Sequence, residues 1–279
     1  MFTRLTLCLL PALALIAPAA DARDLTVMSF NIRYPSPEDG PDRWETRAPI
    51  AIDMIRAQDP DLIGTQELYQ RQGDAIVAAL PRFRWFGRDR RGAHADEHMG
   101  IFYRGDRLRL VRSGDFWLSD TPDQVGSSSW GVDLPRMVNW GMFETREGKP
   151  RRFVLFDTHF AHRDTDDEAR RKSAELLLSR IPAIAGTLPV IVTGDMNATP
   201  DSTAYAAFTA RLRDAWTGAA TRDGPERTFH AFTGTADRRI DYIFVRDFAP
   251  LSARVVTHNR AGRYASDHFP VVATLRPAK

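Results

Sequence analysis

The sequence has almost no cysteine: the one cysteine among its 279 residues is Cys8. Cys8 lies inside an uncharged stretch, residues 5–20, that follows Arg4. A basic start, an apolar middle and the small residues around Ala20-Asp21-Ala22 are typical of a secretory signal peptide. Removal of residues 1–22 would leave a mature chain without a thiol, which excludes disulfides and cysteine-based zinc sites. We therefore predict an exported protein, secreted or periplasmic, without disulfides.

Long apolar runs and an excess of one charge are also missing. The stretch 5–20 contains Pro11 and Pro18 and is short for a membrane span, which typically needs about 20 apolar residues. A membrane anchor is therefore the weaker interpretation, and we expect no integral membrane span after processing. Lys and Arg number 38 against 36 Asp and Glu, which gives a net charge of +2. This composition excludes a disordered chain and by itself predicts no polyanionic partner.

The mature sequence alternates short apolar runs with amphipathic stretches. The apolar patterns predict strands over 25–32, 62–65, 99–103, 108–113, 137–143, 153–160, 190–193, 240–245 and 270–275. Helical spacing of apolar residues predicts helices over 44–57, 70–80 and 167–185. Many strands with scattered helices, and no repeat or linker, indicate one layered α/β domain over residues 23–279.

Polar side chains recur where the predicted strands end. They are Asn31, Glu67, His159, Asp195, Asn197, Asp241, Asp267 and His268. In layered α/β folds, the loops at strand ends gather side chains into one site. Carboxylates with Asn and His, and no cysteine, suit a hard cation such as Mg²⁺ or Mn²⁺, with Ca²⁺ as a further candidate.

Most of these residues also have a simpler structural explanation. Asn31 could form a turn, and Glu67 could begin a helix. Asp195 and Asn197 could cap the helix that follows them. Asp241 is harder to explain in this way, because a carboxylate buried in an apolar strand costs several kcal/mol unless it is paired or metal-bound. The combination therefore indicates a functional site more specifically than any one of these residues does.

In their order along the chain, these residues belong to motifs that resemble those of the endonuclease/exonuclease/phosphatase family. The motifs are Ser29-Phe30-Asn31, Gln66-Glu67, Thr158-His159, Gly194-Asp195-Met196-Asn197, Arg239-Ile240-Asp241-Tyr242 and Ser266-Asp267-His268. Asp42-Arg43-Trp44, Phe116-Trp117-Leu118-Ser119 and Ser129-Trp130 are similar to a secreted bacterial branch. The resemblance covers about 25–275 and implies a four-layer α/β/β/α sandwich, in which two mixed β-sheets pack face to face with helices outside. It also implies metal-dependent hydrolysis of phosphoesters.

The same resemblance implies roles for the metal-side and water-side residues. Glu67 resembles the principal metal ligand, with Asn31 beside it and Asp267 on the metal side. Asp195 matches the residue that orients or deprotonates the attacking water, and Asn197 matches one that holds the phosphoryl group. Residues two apart in an extended segment point the same way, so Asp195 and Asn197 can face one substrate.

Histidines and arginines complete the expected site. His159 and His268 resemble the two histidines that face the phosphate, and Asp241 resembles the partner of His268. Arg33 stands where some nucleases of the family have a second acid, so we expect one metal, with Arg33 near the substrate or ion-paired. Arg136 could contact the phosphate or form a structural ion pair, and the sequence does not decide between these two roles.

His162 follows the Thr158-His159 motif, and we interpret it as a surface histidine.

Substrate class is the least determined feature. The stretch 82–91 interleaves arginines with aromatic residues and could follow a nucleic-acid backbone, but we favour a strand with buried Phe83 and Trp85 and solvated arginines. A lipid-active enzyme would need an exposed apolar hairpin, for which 116–118 is a small candidate. We predict a monomeric phosphodiesterase, with a nuclease slightly ahead of a phospholipid or sphingolipid diesterase or a phosphomonoesterase. A non-catalytic binding module on the same scaffold is the weakest alternative, because none of the expected catalytic and metal-binding residues is missing.

Overall fold

The computed structural model describes residues 23–278, so the predicted signal peptide lies outside the described residues. Its strands are β1 (Leu25–Asn31), β2 (Leu62–Gln66), β3 (Phe83–Phe86), β4 (Ile101–Arg104), β5 (Leu108–Trp117), β6 (Met137–Thr145), β7 (Arg152–His159), β8 (Val190–Asp195), β9 (Arg213–Asp214), β10 (Thr221–Asp223), β11 (Asp241–Arg246), β12 (Phe248–Val255), β13 (Asn259–Arg260), β14 (Arg263–Tyr264) and β15 (Val271–Pro277). Its helices are α1 (Trp44–Gln58), α2 (Gln70–Ala79), α3 (Asp167–Ala185), α4 (Thr203–Thr209) and α5 (Ala215–Gly218), with 3₁₀ turns at Pro37–Asp42 and Asp164–Asp166.

The strands form two mixed sheets. One has seven strands in the order β10-β12-β15-β1-β2-β4-β3, and the other has six in the order β5-β6-β7-β8-β11-β9. Strands β1 and β2 run parallel, as do β7 and β8, whereas β15 and β11 run antiparallel to their neighbours β1 and β8. The predicted pair of mixed sheets is confirmed.

Alternation along the central strands separates three apolar layers. In β1, Val27 packs into the core between the sheets, whereas Met28 packs on the other face against α1. In β8, Ile191 faces the same inter-sheet core, and Val192 packs against α3 and α4. Successive side chains of a strand point to opposite faces, so strands buried on both sides are apolar throughout. The order helices, sheet, sheet, helices follows from this, and the predicted α/β/β/α sandwich is confirmed.

Strand β12 was not predicted from the sequence. It contains Pro250, which has no N–H to donate and therefore argues against a strand. The structure accommodates it at an irregularity, because the pairing register with β15 shifts between Pro250 and Ser252. Proline argues against a regular strand, but it is compatible with a strand that contains a β-bulge.

Two predictions about which residues lie on the surface are wrong in part. In the stretch 82–91, Phe83 is buried and Arg82 and Arg84 are exposed as expected. Trp85, expected to be buried, is only partly buried, and Arg90, expected to be solvated, is buried. The apolar residues 116–118 are each 1% exposed, so they belong to the core and offer no hairpin to a membrane. Within residues 23–278, no helix is both long and apolar enough to cross a bilayer.

A polar layer joins the two sheets just below one end of the sandwich. Asp157 on β7 accepts hydrogen bonds from Gln66 Nε2 on β2 and from Thr193 Oγ1 on β8, both at 2.7 Å. All three side chains are fully buried. Gly64 on β2 permits this close approach, because a Cβ at that position would collide with Thr193 and Asp157.

We predict that Gly64→Ala lowers the free energy of unfolding by about 1–3 kcal/mol, since overpacking forces buried groups apart. Urea unfolding measures the change. Gly105→Ala is the matched control, because its new methyl group would meet only the exposed side chain of Arg84, which can move away. Equal stability of the two variants would contradict the close approach of the sheets at Gly64.

Candidate active site

Strand ends of both sheets meet at one end of the sandwich. The register places Asn31 beside Gln66 at the ends of β1 and β2. In the second sheet, Asp195 lies between His159 on β7 and Asp241 on β11. The pairing of neighbouring strands therefore brings together residues that are far apart in the sequence.

These strand ends border a cavity of about 570 Å³. That volume is within the range of small-molecule sites, roughly 300–1,000 Å³. Of the residues predicted from the sequence, those on its wall are Arg33, Glu67, Arg136, His159, Asp195, Asn197, Asp267 and His268. Asn31 and Asp241 lie behind the wall and are bonded to groups on it.

The side-chain amide of Asn31 connects the two sheets at the cavity. Its Nδ2 donates to Glu67 Oε1 at 3.1 Å and to Asp195 Oδ2 at 2.9 Å. Its Oδ1 accepts the backbone N–H of Arg33 at 3.0 Å. Glu67 and Asp195 therefore lie together, and in this orientation Asn31 positions both carboxylates as a hydrogen-bond donor.

Three wall residues have left-handed backbone conformations. The φ angles are 60° at Arg33, 58° at Glu67 and 46° at Asn197. Asn tolerates this region, but Arg and Glu rarely adopt it, and such residues cluster at functional sites. Glu67 follows β2 directly and precedes α2, so the conformation turns its side chain into the cavity instead of starting the helix. Helix α4 has its own cap at Ser202, which accepts the N–H of Tyr205.

Glu67 and Asp267 offer oxygen atoms that suit a hard cation. The Nη1 and Nε atoms of Arg33 lie 3.9 Å from Glu67 Oε2 and from Asp267 Oδ2, respectively, so the two carboxylates approach the same guanidinium. Carboxylate oxygens are the ligands that Mg²⁺ and Mn²⁺ prefer. This donor set fits such an ion, which Glu67 and Asp267 would hold with Asn31 orienting Glu67.

His268 forms a buried pair with Asp241. Its Nδ1 lies 2.9 Å from Asp241 Oδ2, and its Nε2 lies 3.8 Å from Asp195 Oδ2. Burial alone would lower the pKa of His268, but the charge and hydrogen bond of Asp241 outweigh it and raise that pKa to about 10. Ligand atoms of these three residues lie within 4.8 Å of one another. Since Nδ1 is bonded to Asp241, we interpret the cluster as a hydrogen-bonded pair beside a carboxylate and not as the metal centre.

Asp195 lies between the two histidines. Burial raises the pKa of the Asp195 carboxyl to about 7, and the negative charge of Asp241 adds to the effect. His159 Nε2 lies 3.5 Å from Asp195 Oδ2 and 3.1 Å from Asn197 Nδ2. Burial lowers the pKa of His159 well below its ordinary value, so this imidazole is neutral whereas His268 is protonated.

The two predicted substrate-binding arginines have different surroundings. Arg33 is ion-paired with Asp39 at 2.8 Å. Arg136 is 4% exposed, and its Nη2 lies 3.2 Å from Nδ1 of the half-exposed His162. Its Nε and Nη1 are buried without a hydrogen-bond partner, and no carboxylate pairs with it in the described chain. Burial lowers the pKa of Arg136, and the negative charge of Glu97 is the largest effect that opposes this, without forming an ion pair.

Sequence reasoning missed several residues of the cavity wall. They are Tyr34, Tyr69, Arg90, Glu97, Phe229 and Arg238. Arg90 was visible only as part of a basic stretch, and Glu97 lies in an irregular loop with no periodic pattern. Burial raises the pKa of Glu97 to about 7, with a further contribution from the charge of Glu67, so Glu97 shares the electrostatic environment of the site.

Comparison with known proteins agrees with this arrangement. A model of the Endonuclease/Exonuclease/phosphatase family matches residues 28–268. The structure of a family protein from Bacteroides vulgatus is 33% identical, covers 92% of this chain and 100% of that chain, and has a TM-score of 0.86. A mannosyl-6-phosphatase from Bacteroides thetaiotaomicron is 35% identical, with coverage of 90% and 99% and a TM-score of 0.84. An uncharacterized protein of Acanthamoeba polyphaga mimivirus is 29% identical over 166 residues, which are 56% of this chain and span only 59% of the viral protein.

We predict that Glu67→Gln weakens Mn²⁺ binding at least about tenfold, because the variant loses the negative charge of a proposed ligand. Electron paramagnetic resonance of free Mn²⁺ measures the affinity without reference to turnover. Glu175→Gln, on the exposed side of α3, is the control and should bind Mn²⁺ like the unaltered protein. Unchanged affinity in Glu67→Gln would exclude Glu67 as a ligand.

Proposed function

The chain belongs to the endonuclease/exonuclease/phosphatase family, whose members are metal-dependent phosphoester hydrolases, and from this premise we propose that it is a phosphomonoesterase acting on a sugar phosphate. Phosphoester hydrolysis follows from the family. The preference for a terminal phosphate and for a sugar is our inference from the cavity and from one relative.

The buried guanidinium of Arg136 is the observation that carries the proposal. Arg keeps its charge at any physiological pH, and a buried charge is costly unless an anion offsets it. The terminal phosphate of a monoester has one more anionic oxygen than a diester. Arg136 lines the cavity, and its guanidinium, which has no carboxylate within ion-pair distance in the described chain, would supply a partner for that oxygen.

The size and lining of the cavity support a small substrate. Tyr34, Tyr69 and Phe229 line the wall, and aromatic side chains can pack against the C–H surface of a sugar ring. The mannosyl-6-phosphatase from Bacteroides thetaiotaomicron, 35% identical over 90% of this chain, supports a sugar phosphate as the substrate class.

The proposed chemistry uses the wall residues in distinct roles. A divalent ion held by Glu67 and Asp267 would neutralise charge on a phosphoryl oxygen. Asp195 would orient a water molecule and accept its proton at Oδ2, for which a pKa of about 7 is suitable.

The phosphoryl group would be held by groups on either side of Asp195. The protonated Nε2 of His268 would donate to a phosphoryl oxygen, and Asp241 keeps His268 charged and oriented. Asn197 Nδ2 lies beside this group, but its two N–H bonds point to Phe160 O and His159 Nε2, so Asn197 would hold the phosphoryl group only by releasing one of them.

A nuclease, which the sequence alone favours, is the second candidate. The guanidinium of Arg238 lies 4.5 Å from the ring centroid of Phe229 on the cavity wall. Such pairs of basic and aromatic side chains can stack on nucleic-acid bases. A lipid diesterase loses its support, because residues 116–118 are buried and, over residues 23–278, Val125 is the one exposed large hydrophobic residue.

We also propose export, with removal of residues 1–22. The proposal rests on the uncharged stretch 5–20 after Arg4 and on the small residues that follow it. Mass spectrometry of protein recovered outside the cytoplasm should find a mature N-terminus near Arg23. An intact N-terminus on cytoplasmic protein would contradict the proposal.

We predict release of phosphate from mannose 6-phosphate with Mg²⁺ or Mn²⁺, and complete loss of the activity in EDTA, since the proposed chemistry needs the cation. Bis(p-nitrophenyl) phosphate and supercoiled plasmid are the diester comparisons. The proposal expects kcat/KM for the monoester to exceed that for the diester at least about tenfold. Plasmid nicking without phosphate release would reverse the order of the two candidates.

We predict that Asp195→Asn and His268→Gln each lower kcat by about 10²- to 10⁴-fold, the usual contribution of a proton-transferring group. Thermal unfolding should show that both variants remain folded. The exposed Asp201 and His258 provide matched controls as Asp201→Asn and His258→Gln. Turnover near that of the controls in either site variant would reject the role given to that residue.

A further inference from the structure

A second charged pair lines the cavity and has no part in the chemistry above. Arg90 Nη1 lies 2.8 Å from Glu97 Oε2, and Arg90 Nη2 lies 3.0 Å from Asp96 Oδ1. Arg90 is 7% exposed and Glu97 is 8% exposed, yet both are on the wall of the same cavity as Asp195. The pair is therefore available to a ligand bound in that cavity.

The pair retains hydrogen-bonding capacity that the protein does not use. Arg90 Nε is buried without a partner in the described chain. Glu97 Oε2 is bonded to Arg90, whereas Oε1 accepts no hydrogen bond from any residue within 23–278. Arg90 Nε is enclosed by the protein, whereas Glu97 Oε1 is not, so Oε1 is the acceptor of this pair that remains open to a ligand in the cavity.

The loop that carries the pair is held in one conformation by its own hydrogen bonds. Asp89, 1% exposed, accepts the backbone N–H groups of Arg91 and Ala93 at Oδ1 and those of Ala95 and Asp96 at Oδ2, at 2.7–2.9 Å. Trp117 Nε1 also donates to the backbone oxygen of Arg90 at 2.7 Å. The guanidinium and the carboxylate are therefore preorganised, which reduces the entropy lost on binding.

The charges of the pair decide which ligand group fits. The carboxylate of Glu97 repels a phosphate, which is better matched by the unpaired Arg136. Neighbouring hydroxyl groups of a sugar each donate and accept one hydrogen bond, so they can satisfy a carboxylate oxygen and a guanidinium N–H together. Tyr34 and Tyr69 also line the wall.

We propose that Arg90 and Glu97 form the subsite that binds the ring hydroxyls of the sugar phosphate and thereby determine substrate specificity. This inference rests on the proposed phosphomonoesterase function. Arg90 and Glu97 act here as specificity residues, with no role in breaking the phosphoester bond. Asp89 is a positioning residue, because it acts by fixing the loop.

Two substrates of equal shape test the subsite in the unaltered enzyme. Mannose 6-phosphate and cyclohexylmethyl phosphate share a six-membered ring and a primary alkyl leaving group, but the second has no ring hydroxyl. Hydrogen bonds from a ligand to charged groups are each worth roughly a 10- to 100-fold change in affinity. The proposal expects kcat/KM, measured by phosphate release with Mg²⁺, to favour mannose 6-phosphate at least about tenfold.

The variant Glu97→Gln assigns that preference to the pair. It should raise KM for mannose 6-phosphate about 10- to 100-fold more than KM for cyclohexylmethyl phosphate, because any effect on the phosphate side of the cavity is common to both substrates. Glu175→Gln is the control for the loss of a carboxylate, and thermal unfolding checks that each variant is folded.

The outcomes separate the two levels of the proposal. If the unaltered enzyme releases phosphate from neither substrate, the phosphomonoesterase function fails and this inference fails with it. If it hydrolyses both equally well, or if Glu97→Gln reduces both to the same extent, the function stands and the hydroxyl subsite is overturned. Should Glu97→Gln fail to fold, the preference of the unaltered enzyme between the two substrates decides.

Discussion

The hydrogen bonds donated by the Asn31 amide are the interaction on which the site depends. They hold Glu67 of one sheet and Asp195 of the other against the same group. Two carboxylates in this position would repel each other and lose hydration unless a donor lay between them. Asn31 supplies that donor from the end of a central strand, so the packing of the two sheets also sets the distance between the proposed metal ligand and the proposed base.

The polar layer below Asn31 makes this arrangement rigid. Asp157 joins Gln66 and Thr193 across the sheets, and Ser29 Oγ accepts the N–H of Gly194 at 3.1 Å. Burial keeps the pKa of Asp157 well above its ordinary value, so this layer need not hold a charge. Elsewhere the sheets meet through apolar side chains, which fill the core without specifying a register. The hydrogen-bonded end is where the relative position of the sheets is specified, and it is the end that carries the cavity.

Electrostatics divide the cavity into regions with different partners. Protonated His268 and unpaired Arg136 form a region that suits an anion. The carboxylates of Glu67 and Asp267 form a second region, which suits a cation. Arg90, paired with both Glu97 and Asp96, forms a third region with no excess positive charge, which suits hydroxyl groups better than a second phosphate. A phosphorylated sugar with a divalent ion satisfies all three regions at once.

The sequence predicted those parts of the fold and site that are marked by a local periodic pattern or by the order of the motifs along the chain. Strand alternation gave the sheets and layers, and the order of the motifs brought together Glu67, Asp195 and His268. The sequence could not assign Asn31 its bridging role, because that depends on two strands of different sheets meeting. Arg90 was misjudged, since exposure of one arginine in a basic stretch is decided by the fold of its loop. Glu97 had no signal at all, because it lies outside every periodic segment.

Anomalous diffraction from a crystal soaked with Mn²⁺ and phosphate would locate the ion and the anion together. We expect one anomalous peak, bonded to oxygen atoms of Glu67 and Asp267, with the phosphate contacting His268 on the far side. A peak bonded to Asp241 and the imidazole of His268, or a phosphate bound away from Asp195, would contradict it.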